Sequence, residues 1–144
     1  MRNTVGLTAR QIEQCQLVWE VLSGNDVCPL DVSEAHLHNS RSRYVEGTKC
    51  VKLGADALPG PGVGARTPMS LLACLAHELA HAKRHQLGFA RPAVLPHALL
   101  DEAETSIHAS FELVLGARER CLLVEDAHDQ VGQWLAGNCG GQIP

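Results

Sequence analysis

The sequence predicts an α+β domain that is mainly helical, with about four helices and a small antiparallel sheet. Three observations lead there. Apolar residues recur at helical spacing in four segments, each opened by a cap or closed by a stop signal. Residues 43–54 instead place short apolar runs on either side of Glu46-Gly47-Thr48, the pattern of a hairpin. A length of 144 residues with 45% apolar content suits a single domain, residues 1–144, with its own hydrophobic core.

Thr8-Ala9-Arg10-Gln11 fits a capping box, and Ile12, Cys15, Val18, Trp19 and Leu22 follow at helical spacing. Helix one is therefore expected over residues 8–23, with Gly24 as its stop. Residues 25–42 are mixed, with Cys28-Pro29 and Asn39-Ser40 as turn signals. Tyr44 and Val45, then Cys50, Val51 and Leu53, make the two hairpin strands. Pro59-Gly60-Pro61-Gly62-Val63-Gly64 reads as a loop and not as a phosphate cradle, because no G-K-[ST] ending follows.

Thr67-Pro68 is a suitable N-cap and N1 pair for helix two, which should run to Leu87 and stop at Gly88. Pro92 and Pro96 bracket a connection. Helix three is expected over His97–Leu115 and helix four over Arg118–Ala136, each followed by glycine. Residues 137–144 read as a loose tail.

Composition narrows the function. The net charge is −4 with no Lys/Arg block, which argues against direct nucleic-acid binding. No apolar run nears the ~18 residues of a membrane span, and the segment after Met1 is polar, without a secretory leader. A cytoplasmic location without membrane attachment is expected. The six cysteines lack C-x-x-C spacing, so they read as free thiols in the core and not as zinc ligands. Aromatic content is only 3%, so Leu, Val, Ala and Cys must supply that core.

The chemistry lies in His77-Glu78-Leu79-Ala80-His81, a HExxH motif within helix two. Residues i and i+4 share one helix face, where two imidazoles can hold one Zn²⁺. The intervening Glu can reach a metal-bound water and serve as general base. On a helical wheel His81 lies about 40° from His77, while Leu71, Leu72, Leu75, Leu79 and Ala82 lie opposite. The histidines therefore have a face of their own, which weakens the alternative of core histidines and leaves that of a solvated polar face.

A third ligand is needed. On helix three, Glu104 falls among Leu100, Ile107, Phe111, Val114 and Leu115. A carboxylate in an apolar stripe should be neutralised, paired or metal-bound. Glu104 is accordingly the expected third ligand; the alternative is a buried salt bridge to Arg84 or Arg43. Glu102 is placed on the polar back of the helix, and Asp101 at its edge. His97 is a further candidate ligand, whereas His85 is too far along helix two to converge on the same ion. His108, one turn after Glu104, could orient it or donate to a developing oxyanion; a histidine at the edge of a packing face is the alternative. His128 reads as a core histidine of helix four, and His36 and His38 as surface residues. A metzincin pattern is excluded, since Arg84 and Leu87 stand where that pattern needs Gly and His.

His77-Glu78-x-x-His81 together with Glu104-Thr105-Ser106-Ile107-His108-Ala109 resembles the ImmA/IrrE family of bacterial and phage metallopeptidases. That family carries an HELGH-type helix and a later helix reading roughly E-A-N-x-F-A, whose Glu is the third zinc ligand. The resemblance covers about residues 69–115, and the short strands ahead of helix two resemble the family's layout. It implies His77, His81 and Glu104 as ligands of one Zn²⁺ and Glu78 as the catalytic Glu. It also implies a protein substrate such as a repressor.

The sequence thus points to a zinc-dependent metallopeptidase acting on a protein or peptide, with Glu78 and His108 as candidate catalytic residues. Two other classes compete: a zinc-stabilised, non-cleaving interaction module, and a zinc amide hydrolase of a small substrate. The first has no need of Glu78, and the second lacks a deformylase-like Cys ligand motif.

Overall fold

A computed structural model describes residues 2–23, 28–61 and 66–139. The elements run α1 (Ala9–Ser23), β1 (Leu30–Asp31), β2 (Arg43–Val45), β3 (Cys50–Lys52), a 3-10 turn (Ala55–Ala57), α2 (Leu71–Gln86), α3 (His97–Ala109) and α4 (Ala117–Cys139). This is the mainly helical α+β class that the sequence predicts. Gly24, Gly62-Val63-Gly64 and the Gly140-Gly141 tail lie outside the described residues.

Thr8 and Gln11 form the expected capping box: each backbone N–H donates to the other's side-chain oxygen, at 2.8 and 3.2 Å. Cys15, Trp19 and Leu22 then form the buried face of α1. The hairpin is also present, with Tyr44 opposite Val51. The sheet is nevertheless mixed and not purely antiparallel. β1, from a stretch read as turns, joins β3 in parallel, giving the order β1-β3-β2. Two residues are too short to show a period-2 pattern, so β1 leaves no signal. β2 is left as an edge strand.

Helix α2 starts later than expected. Thr67-Pro68 sits in a turn closed by Met69 N–H to Arg66 O at 3.2 Å, and Ser70 is the N-cap, accepting from Ala73 N–H at 3.2 Å. Its end is as expected. Gly88 adopts φ +79°, Phe89 N–H reaches Arg84 O at 2.8 Å, and Gly88 N–H reaches His85 O at 3.1 Å, which is a Schellman motif. Leu75 and Leu79 are fully buried and fix the apolar side of α2, each contributing roughly 1.5–3 kcal/mol.

Helix α3 ends at Ala109, not Leu115. The Arg120 guanidinium donates to the carbonyls of Leu115, Ser110 and Glu112 at 3.2, 3.1 and 3.0 Å, so the chain turns there without losing satisfied carbonyls. Helix α4 runs through Gly137 to Cys139. The five cysteines with described side chains are free, although Cys121 is exposed and so is not a core residue.

The largest departure concerns the faces of α3 and α4. The residues of α3 that are buried are Ala103, Thr105, Ser106 and Ala109. Much of its expected apolar stripe points outward: Ile107 is 40% exposed, and beyond the helix end Phe111 is 73% exposed, although Leu115 is buried. On α4, Leu122, Leu123, Asp126 and Ala127 are buried, while Val124, Val131 and Leu135 are exposed. His128 is exposed with them and is not a core histidine. The two outward stripes line an apolar groove of about 990 Å³. Small side chains let α3 lie close against α2, and this proximity outweighs the burial of the larger residues.

Among the contacts that tie the N-terminal segment to this frame, one side chain makes the most. The Arg2 guanidinium donates to five backbone carbonyls: Asp56 and Ala57 in the 3-10 turn, and Arg66, Thr67 and Met69 ahead of α2.

The reversed α3 face gives a direct test. Ala109→Leu should overpack the α3 contact and cost about 1–3 kcal/mol. Phe111→Ser should change stability by no more than about 0.5 kcal/mol. Chemical denaturation of both variants checks the order, which would invert if the apolar stripe were the core face.

Candidate metal centre

The two motif histidines meet a carboxylate from α3. His81 Nε2 lies 2.8 Å from Glu102 Oε1, and His77 Nε2 lies 3.1 Å from Glu102 Oε2. The imidazoles are edge-on, 4.7 Å between centroids, as i and i+4 positions on one helix allow. One ligand atom from each of His77, His81 and Glu102 lies within 4.8 Å of the others, so the group could hold a metal ion.

Glu104 is not part of this cluster. Its side chain is 45% exposed and ion-paired to Arg91, with Arg84 at 3.7 Å. The alternative of a buried salt bridge to Arg84 or Arg43 holds only in part: the ion pair is exposed and its main partner is Arg91. The physical reason is the outward turn of the apolar stripe, which carries Glu104 with it. Glu102, two residues earlier, is brought to the buried side beside Thr105, Ser106 and Ala109. That i, i+3, i+4, i+7 run of small residues was the available signal: it marks where two helices can approach closely, whatever its hydropathy.

His108 lies on the groove formed by α3 and α4, together with Glu104 and His128 and away from the His77–His81 pair. Burial and the neighbouring Lys83 and Arg84 push its pKa down. His97 is outside the cluster as well. His36 and His38 are exposed, as expected of surface residues.

Both remaining ring nitrogens have partners. Ser106 Oγ donates to Asp126 Oδ2 at 2.7 Å, using its only proton on a carboxylate that can only accept. Ser106 Oγ must then accept from His77 Nδ1–H, 2.9 Å away. This fixes the tautomer of neutral His77 and leaves Nε2 as a bare acceptor. On His81, Nδ1 lies 3.3 Å from Thr105 Oγ1, whose proton goes to Asp101 O at 2.7 Å, so Nδ1 is again the donor. Partners on Nδ1 that turn Nε2 inward are the usual support of metal-binding histidines.

The charges are arranged unevenly. Burial pushes His77 down, toward the neutral form. Burial also opposes the charge on His81, but Glu102, Glu78 and Asp101 outweigh it, and its pKa is raised. Burial likewise opposes the charge on Glu102, yet the facing His77 and His81 hold it well below the usual carboxylate range. Neutral His77 Nε2 and ionised Glu102 Oε2 therefore face one another as two acceptors 3.1 Å apart. A cation shared between them relieves that contact, so the residues fit a metal ion on their own geometry.

Around the pair, Arg66 bonds Glu102 and, through Nε at 2.8 Å, Asp126, which is 2% exposed. Arg84, 4% exposed, donates from α2 to Asp101 Oδ1, Asp101 O and Thr105 Oγ1 on α3. These two guanidiniums clamp the helices on either side of the histidines. Sequence reasoning did not single out Arg66 or Asp126; they lie 60 positions apart, and no local pattern relates them.

Glu78 is the remaining motif residue. It is buried, and its Oε2 has no hydrogen-bond partner among the described residues. Burial pushes its pKa up to about 7. It lines, with His81, Glu102 and Tyr44, a cleft of about 770 Å³ that opens beside the β2 edge.

Two outcomes follow. Glu102→Gln should weaken divalent-metal binding by about a hundredfold or more, as loss of a charged ligand among three would, whereas Glu104→Gln should leave it unchanged; calorimetric titration separates them. The raised Glu78 pKa means that the folded state binds its proton more tightly than the unfolded state. Stability is therefore lost as pH rises from about 4.5 through 7. With chelator present, Glu78→Gln should match wild type near pH 4 and exceed it by on the order of 2–3 kcal/mol above pH 7 in denaturant titrations.

Compared with protein-family models, with curated proteins and with solved structures, the chain finds no match.

Proposed function

We propose that the protein is a zinc metallopeptidase that hydrolyses peptide bonds of a protein substrate. One observation carries this reading. A buried carboxylate with a pKa near 7 and an oxygen that has no hydrogen-bond partner among the described residues, Glu78, lines the same cleft as His81 and Glu102 of the candidate metal group. Two imidazoles and one carboxylate form the donor set of catalytic zinc sites, which keep one position open. A structural site would have no use for an uncommitted base beside it.

When bound, the ion would supply Lewis acidity and a water acidified toward neutral pH. Glu78 would hold and move a proton there, accepting it from the attacking water and returning it to the departing amine, a task for which a pKa near the working pH is best. Tyr44 on β2, its hydroxyl 3.0 Å from His85 Nδ1, lines the cleft as a donor for charge growing on the substrate carbonyl. The β2 edge flanks the same cleft and suits an extended substrate that pairs with it as an added strand.

The HExxH half of the resemblance to the ImmA/IrrE family supports the same reading, whereas its second motif implies Glu104 as third ligand and the carboxylate grouped with the histidines is Glu102. A regulatory protein such as a repressor is the substrate class that this resemblance suggests.

The test compares zinc-loaded wild type with Glu78→Gln in a cell extract, mapping newly formed protein N-termini. Glu78→Gln should retain zinc while cleavage falls by at least about a hundredfold. Identical maps without new termini, at equal zinc content, would overturn the peptidase reading in favour of a non-cleaving, metal-stabilised module.

A further inference from the structure

Arg66 takes up the two ligand atoms that face each other as acceptors. Its Nη2 bonds Glu102 Oε2 and lies 3.5 Å from His77 Nε2. We propose, resting on the metal-site reading above, that Arg66 is a resident counter-cation that competes with the metal ion for Glu102.

The geometry of the guanidinium supports a partner that can let go at one end. Its Nε lies 2.8 Å from Asp126 Oδ1 and its Nη2 3.4 Å from Asp126 Oδ2, so Asp126 alone can retain it. The Arg66 backbone is held independently, since Arg2 Nη1 donates to its carbonyl at 2.6 Å. The contact with Glu102 is the one an ion must take over. Glu102 Oε1 already faces His81, and Oε2 is the oxygen shared by Arg66 and His77. A divalent ion there and a guanidinium on the same oxygen repel one another across a few ångströms.

Arg66 therefore does two things. It keeps the carboxylate neutralised when no ion is bound, so the cluster stays assembled. It also lowers the affinity for the ion, because uptake requires the bond between Arg66 and Glu102 to be given up. The site loads only when free metal is high enough to displace its own side chain.

The experiment is a titration of the full chain with Zn²⁺ against a chromophoric chelator, for wild type and Arg66→Gln. Glutamine keeps an amide donor for Asp126 and removes the charge. The variant should bind Zn²⁺ roughly tenfold or more tightly than wild type. Equal or weaker binding by a folded variant overturns the proposal alone. Failure of both proteins to take up Zn²⁺ overturns the metal reading and the proposal with it.

If Arg66→Gln does not fold, nitrogen-15 spectra of the arginine side chains in wild type decide. Adding Zn²⁺ should shift the Arg66 guanidinium signal and leave that of Arg84 in place, and an unmoved Arg66 signal overturns the proposal.

Discussion

The arrangement at the centre of this molecule depends on how closely α3 approaches α2. Ala103, Thr105, Ser106 and Ala109 present little volume, so the α3 backbone comes near enough for Glu102 to reach both Nε2 atoms of the HExxH pair. The same approach puts Ser106 and Thr105 against the Nδ1 atoms. Had α3 packed through its larger residues, the carboxylate facing the histidines would have been lost. The fold accepts an exposed apolar groove in return for that distance.

Such closeness between two polar faces is stable only if every charge has a partner. Arg84 and Asp126 are nearly inaccessible, and each makes several hydrogen bonds. Removing one member of such a network leaves a buried charge unpaired, which costs about 3–5 kcal/mol. Among the described residues Glu78 is the exception, with one buried side-chain oxygen that has no hydrogen-bond partner. A group kept at a cost to stability, beside two histidines and a third donor, is more readily explained by chemistry than by folding.

Much of the fold was legible in the sequence because its signals are local. The Thr8–Gln11 box, the hairpin about Glu46-Gly47-Thr48 and the glycine stop of α2 each depend on residues within a few positions. The HExxH pair was legible for the same reason, since one helix carries both histidines. The third carboxylate was not. Helical phase separates the two sides of α3 correctly, but hydropathy alone chooses the wrong side to bury, and so selects Glu104 over Glu102. His128 is misplaced by the same inversion on α4. The termination of α3 by Arg120 and the pairing of Arg66 with Asp126 join distant positions and leave no trace in local spacing.

Arg2 adds a consequence of a different kind. Its guanidinium holds the carbonyl of Arg66, 64 positions away, and Arg66 in turn reaches Asp126, 60 positions further on. The centre is thus closed by contacts of very high sequence separation, although its two histidines are neighbours on one turn of helix. Such contacts require the closure of long loops, which carries an entropic cost that the local contacts of α2 do not. A nascent chain would carry the whole HExxH helix well before α4 supplies Asp126, so the motif is synthesised long before its surroundings exist.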